Sequence, residues 1–92
     1  MNASVTSLPT AEELEAALRA ALAPTVLEVV DESAAHAGHS GAGPAGHGTH
    51  FRVRVASPRF TGLSRVARHR LVYDPLQVFV PRGLHAIAIE TL

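Results

Sequence analysis

The stretch DESAAHAGHSGAGPAGHGTHF, residues 31–51, holds His36, His39, His47 and His50. The pattern HxxH occurs in it twice, and imidazole nitrogen is a good ligand for borderline divalent metals. A closed cage is not expected. Residues 37–48 are nearly all Gly, Ala and Ser, nothing in them fixes four rings as a tetrahedron, and ordering such a segment costs about 1–2 kcal/mol per residue. The run GAGPAG at residues 41–46 matches GxGxxG. A dinucleotide cradle, however, needs its last glycine to open a helix, and here a strand follows. The glycines read instead as slack in a flexible loop over residues 32–49.

Nucleophilic catalysis finds no support. The chain has no Cys, and Ser33, Ser57 and Ser64 do not sit in a nucleophile elbow. Asp31 and Glu32 with His36 could be drawn as an acid–base group, but adjacent strand-end carboxylates read as solvated charges, so no enzyme is expected. A different chemistry is written in RVARHRLVY, which carries Arg65, Arg68, His69 and Arg70 on one predicted helix. Such a cluster suits phosphate contact or recognition of an anionic peptide.

Composition bounds these readings. Ninety-two residues make one domain, and eight basic side chains balance eight acidic ones, but the acids gather in the first third and the arginines in the second half. That half is expected to be a basic surface able to meet an acidic partner, a thiol peptide or a phosphate backbone. Without Cys there is no disulfide framework, and no apolar run approaches the ~18–20 residues that span a bilayer. No membrane partner is expected, and a soluble cytoplasmic protein is. MNASVTSLP lacks the features of a leader, and residues 1–9 read as a disordered N-terminus ahead of a single domain over residues 10–92.

The elements that must position these groups follow from local pattern. Thr10 and Glu13 have the spacing of a capping box, Leu14, Leu18 and Leu22 make one apolar stripe, and Pro24 stops the helix. TVLEVVD and HFRVRVAS read as strands. In the second, Phe51, Val53 and Val55 alternate with Arg52 and Arg54, which sends the arginines to a face expected to be basic. Ser64 caps the basic helix. Asp74 and Pro75 permit another short helix, for which LQVFVP is a poor former, and LHAIAIETL closes the chain as a strand. The order predicts an α+β two-layer sandwich: a small three-stranded mixed sheet with its helices on one face.

DESAAHAGH, then THFRVRVASPRFTGLSRVARHRLVY, then LHAIAI, in this order and at these intervals, resemble the BolA family. The match runs from Thr10 to Thr91, and RF-x-G followed by RHR-x-VY is specific. The resemblance implies a fold of αββααβ order similar to class II KH domains. It also implies a non-enzymatic partner of monothiol glutaredoxins, monomeric or weakly dimeric when alone. In the complex a [2Fe–2S] cluster would be shared with the glutaredoxin cysteine and glutathione. On this resemblance His85 matches the C-terminal histidine of the family, and His36 the variable His-or-Cys of the loop, with His39 as the alternative ligand. His47 and His50 have no role in that pattern and are assigned to the loop and the strand start. DPLQVFVPRG departs from the Ala- and Glu-rich helix usual in the family. The family is linked to transcriptional control as well, so DNA is a second candidate partner for Arg65, Arg68, His69 and Arg70. A clamping GxxG loop is absent where PRFTGLS stands. The third reading is a metal-free adaptor that docks through the basic helix.

Overall fold

Helix α1 (Ala11–Leu22) begins at the anticipated capping box: the Glu13 N–H donates to the Thr10 hydroxyl at 3.2 Å, and the Thr10 N–H donates to the Glu13 carboxylate at 3.0 Å. Two orphan donors of the first turn are thereby satisfied. The computed structural model describes residues 7–36 and 47–92, the side chains of Ala35 and His36 excepted. Leu14, Leu18 and Leu22 are buried along one stripe of α1, each contributing about 1.5–3 kcal/mol through removal from water. The helix ends at Ala23, whose N–H reaches back to the Arg19 carbonyl and whose φ of 46° is left-handed. Pro24 follows and cannot continue it.

Strand β1 (Val26–Asp31) pairs antiparallel with β2 (His50–Ala56), which pairs parallel with β3 (Ala86–Thr91), in the order β1-β2-β3. The parallel pair requires a crossover, and the chain between β2 and β3 supplies it as helices. Phe51, Val53 and Val55 of the middle strand are buried, with Leu27, Val29, Ile87 and Ile89 packed around them. Their alternation with Arg52 and Arg54, read from the sequence, fixes which face the helices cover. α2 (Arg65–Tyr73) starts at Ser64, whose hydroxyl accepts the Ala67 N–H at 3.1 Å, and buries Val72.

The segment after α2 differs from an α-helix in a way its sequence explains. Asp74–Arg82 is a nine-residue 3-10 helix with Pro81 inside it. Val78, Phe79 and Val80 are weak α-formers, and a three-residue turn places side chains at every third position above one another. Leu76 and Phe79, one turn apart, are the buried pair, while Val78 and Val80 stay exposed. Arg82 is one turn further on and lies over the Phe79 ring, 5.4 Å from its centroid. Tertiary packing thus holds a 3-10 run longer than its own hydrogen bonds sustain. The element order αββααβ stands with this helix in the fifth place.

Residues 7–9, expected to belong to a disordered N-terminus, have fixed places: Arg82 donates to Ser7 and Leu8, and Pro9 is fully buried. No helix among the described residues is long and apolar enough to cross a membrane.

Ala23 carries the only positive φ of a non-glycine residue among the described residues, a conformation that costs an L-residue about 1–2 kcal/mol and glycine little. After the extra chain entropy of glycine, Ala23→Gly is expected to raise stability by up to about 1 kcal/mol in urea unfolding.

Candidate metal-ligating site

β1 ends in a carboxylate that organises the chain around it. The Asp31 carboxylate accepts the Ser33 N–H at 2.9 Å, the Ser33 hydroxyl at 2.6 Å and the Gly48 N–H at 2.9 Å. Burial pushes the Asp31 carboxyl up, but the Ser33 hydroxyl, the two N–H groups and the nearby His47 together hold it below the ordinary aspartate value of 3.8. Ser33 is fully buried, and its hydroxyl also accepts the N–H groups of Thr49 at 2.9 Å and His50 at 3.0 Å. One donor and two acceptor positions are all a serine hydroxyl has, so it is saturated. Asp31 is therefore a structural anchor rather than the solvated charge its position at a strand end suggested.

This network joins the two stems of the predicted loop. Ser33–His36 form a 3-10 turn, and His47, Gly48 and Thr49 lead straight into β2. His36 ends that turn. Its side chain lies outside the described residues, as do His39 and the GAGPAG run.

His85 is the residue just before β3, exposed, and tied through its N–H to the Thr49 carbonyl at 2.8 Å. It precedes the strand rather than lying within it, but this backbone bond anchors it to β2. Its ring lies 5.3 Å from that of His50, centroid to centroid, with the planes inclined at 52°. His50 is largely buried, with Nδ1 3.0 Å from the Thr49 hydroxyl. It lines a depression of about 250 Å³ with Glu32, Arg52, Ala86 and Ala88. From the sequence His50 has a place at a strand start and no further role. The signal that finds it is parallel register: His50 stands opposite Ala86, so aligning HFRVRV with AIAIET sets His85 beside it.

The basic groups divide. Arg52 pairs with Glu32 at 2.9 Å, and Arg54 bridges Glu28 at 3.2 Å and Glu90 at 3.1 Å. The open sheet face is thus a row of compensated charges, correcting the expectation of a basic one. On α2, Arg65, Arg68 and His69 line a cleft of about 480 Å³ with Leu63, Ile89, Glu90 and Thr91. The Arg68 Nε–H donates to the Leu63 carbonyl at 3.0 Å. Arg70 turns to a neighbouring apolar groove formed by Val66, His69, Tyr73 and Ile89. The cleft meets the far end of β3 from His85; Ala86 and Glu90 are separated by about 13 Å at the usual strand rise.

Among known proteins, residues 18–92 match the family model described as BolA-like protein. The chain is 48% identical over 81 residues to BolA-like protein 1 of Mus musculus, a match covering 84% of this chain and 56% of that protein. It is 44% identical over 80 residues to the DNA-binding transcriptional regulator BolA of Escherichia coli, covering 87% of this chain and 71% of that one. The solved BolA domain of SufE1 from Arabidopsis thaliana is similar to it with a TM-score of 0.76 and 42% identity, over 88% of this chain and 87% of that one.

Ser33→Ala would leave two backbone N–H groups without their acceptor, and is expected to cost at least about 2 kcal/mol in denaturant unfolding. The depressed Asp31 carboxyl contributes stability that is complete above pH 3.8 and is lost as pH falls below it through the folded-state value. Asp31→Asn should therefore flatten this acid limb of the stability curve.

Proposed function

Because the chain belongs to the BolA family, we propose that it acts without catalysis of its own, as the imidazole-contributing half of a complex with a monothiol glutaredoxin that shares a [2Fe–2S] cluster. The observation that carries this reading is the pairing of His85 with His50 at 5.3 Å between ring centroids, a spacing at which two imidazoles can bond a common metal centre. The donor chemistry fits. The chain has no thiolate to give, and two histidines replace two cysteines on one iron in Rieske centres. Among the described residues no group of three or more His, Cys, Asp or Glu could hold a metal, so further donors come from elsewhere, here the glutaredoxin cysteine and glutathione.

Within this reading His85 is the anchored ligand. The family pattern makes His36 the second, with His39 as its alternative, and the closeness of its ring to that of His85 supports His50 as a further candidate. The Thr49 hydroxyl at Nδ1 orients the His50 ring, as outer hydrogen bonds do for metal-bound histidines generally. When bound, the cluster supplies iron and sulfide for transfer or an electron-accepting centre. Neutral imidazole in place of thiolate lowers its negative charge and favours a higher potential.

A second reading, nucleic-acid binding, is favoured by the cleft lined by Arg65, Arg68 and His69, with Arg70 beside it, and by the name of the Escherichia coli relative. It uses the opposite end of β3 and leaves the imidazole pair without a part.

Adding this protein to cluster-loaded glutaredoxin is expected to change the visible absorption spectrum, and His85→Ala to remove most of the change; a full response from that variant overturns the proposal. Single changes of His36, His39 and His50 to Ala then identify the second ligand as the one whose loss reproduces the His85→Ala spectrum. Native mass spectrometry should find iron and glutathione in the complex, and their absence would leave a metal-free adaptor. For the second reading, DNA should be retarded at low salt and released as salt rises, with the shift lost on changing Arg68 and Arg70 to Ala. No retardation at low salt removes it.

A further inference from the structure

Residues 7–10 run across the two segments that carry the imidazole pair. Leu8 sits in the angle between Gly48, two residues before His50, and Gly83, two residues before His85. A Cβ on Gly48 would come within 2.7 Å of the Leu8 Cβ and 2.9 Å of the Pro9 carbonyl, and one on Gly83 within 2.5 Å of a Leu8 methyl. Both glycines also have left-handed φ, 81° and 119°. Only glycine at both positions lets the wedge enter.

Arg82 holds the wedge in place. Its Nε–H donates to the Ser7 carbonyl at 2.8 Å, and its terminal nitrogens donate to the Leu8 carbonyl at 3.4 Å and to the Glu13 carboxylate at 2.8 and 3.0 Å. The pair with Arg82 holds the Glu13 carboxyl below its ordinary value. Pro9 is fully buried beside Leu8. The two segments touch directly as well, because the Thr49 carbonyl accepts the N–H groups of both His85 and Ala86, at 2.8 and 3.0 Å. That contact opens the β2–β3 ladder, which begins with His50 opposite Ala86, and the stems that lead into it, Gly48–Thr49 and Gly83–His85, lie outside the paired strands. Leu8, reaching both glycines at once, packs across these two stems at the end of the ladder.

We infer that residues 7–10 form a strap that sets the spacing of the His50–His85 pair, with Leu8 as its positioning residue. The inference rests on the reading that this pair is the ligand site, and it assigns to the N-terminal segment the task of presenting both rings to an incoming metal centre. Arg82 belongs to the same device, since it grips the strap at the C-terminal end of the 3-10 helix that leads into His85. A side chain that supports ligands through the backbone acts on their separation, which a loss of support loosens by about 1 Å.

The test is an inter-ring nuclear Overhauser effect between His50 and His85 in the metal-free protein, at one fixed pH. Leu8→Ala is expected to cut its intensity to roughly a third, the sixth-power consequence of about 1 Å added to the separation, and to move the ring-proton resonances of both histidines but not of His69. Leu8→Met, which refills the volume, should restore it. Ala21→Gly weakens α1 away from the strap and should leave both rings as they were. Should Leu8→Ala fail to fold, Leu8→Val takes its place with a smaller shift in the same direction. Unchanged rings in the folded Leu8 variant, or an equal change in Ala21→Gly, overturn the strap. No metal enters this test, so it is decided independently of the cluster reading, which the His85→Ala titration decides.

Discussion

The Ser33 hydroxyl donates to Asp31 and accepts the N–H groups of Thr49 and His50, and so closes the chain on itself between positions 16 and 17 residues apart. Each of those backbone groups would cost about 1–3 kcal/mol if buried unpaired. The hydroxyl therefore decides where β1 stops and β2 starts. The Glu32 N–H on the His50 carbonyl at 2.7 Å continues the ladder from that point, and Asp31 stands opposite Phe51. Register follows, and with it the faces. A slip by one residue would turn Phe51, Val53 and Val55 outward and bring Arg52 and Arg54 under the helices. The core and the placement of His50 both depend on this one closure.

The same register makes the open face electrically quiet. Glu28, Arg54 and Glu90 occupy one row across the three strands, so Arg54 meets a carboxylate on either side, and Arg52 reaches Glu32 past the end of β1. The hydrogen bonds to Glu32 and to Glu28, with the charges around them, raise both guanidinium pKa values above their already high ordinary value. Being exposed, the pairs add little stability, but they remove these two cations from the pool that could attract an anion. Among the described residues, the arginines of the second half outside these salt bridges and the Arg82–Glu13 pair lie on α2 and its approach. The composition alone placed charge correctly along the chain and wrongly in space.

What the sequence made legible was what local chemistry decides. Thr10 and Glu13 cap within one turn, Phe51 to Val55 alternate within one strand, and Ser64 caps within three residues, so each can be read without knowing the partner element. The Asp74–Arg82 helix resisted because its α-propensity is poor and its stability comes from Leu76 and Phe79 meeting the core. The His50–His85 pair depends on parallel register between strands 30 residues apart or more, and Arg82 grips residue 7 from 75 positions away. Glu13 had been legible as a capping residue and proves to serve Arg82 too. Asp31 was misread for the same reason: its partner Gly48 comes 17 residues later.

The two candidate surfaces occupy opposite ends of β3, and that separation has a thermodynamic consequence. Groups more than about 7–10 Å apart without shared partners act nearly additively, and about 13 Å of strand lies between Ala86 and Glu90. Ile89 and Glu90 border the basic cleft, whereas Ala86 and Ala88 border the depression beside His50. β3 is a rigid spacer, paired along its length with the middle strand. A partner large enough to cover both ends would gain affinity from each independently. A smaller one would choose an end by its chemistry: a metal centre the imidazoles, an anion the arginines. The fold thus holds the two candidate surfaces at a fixed distance without requiring either to influence the other.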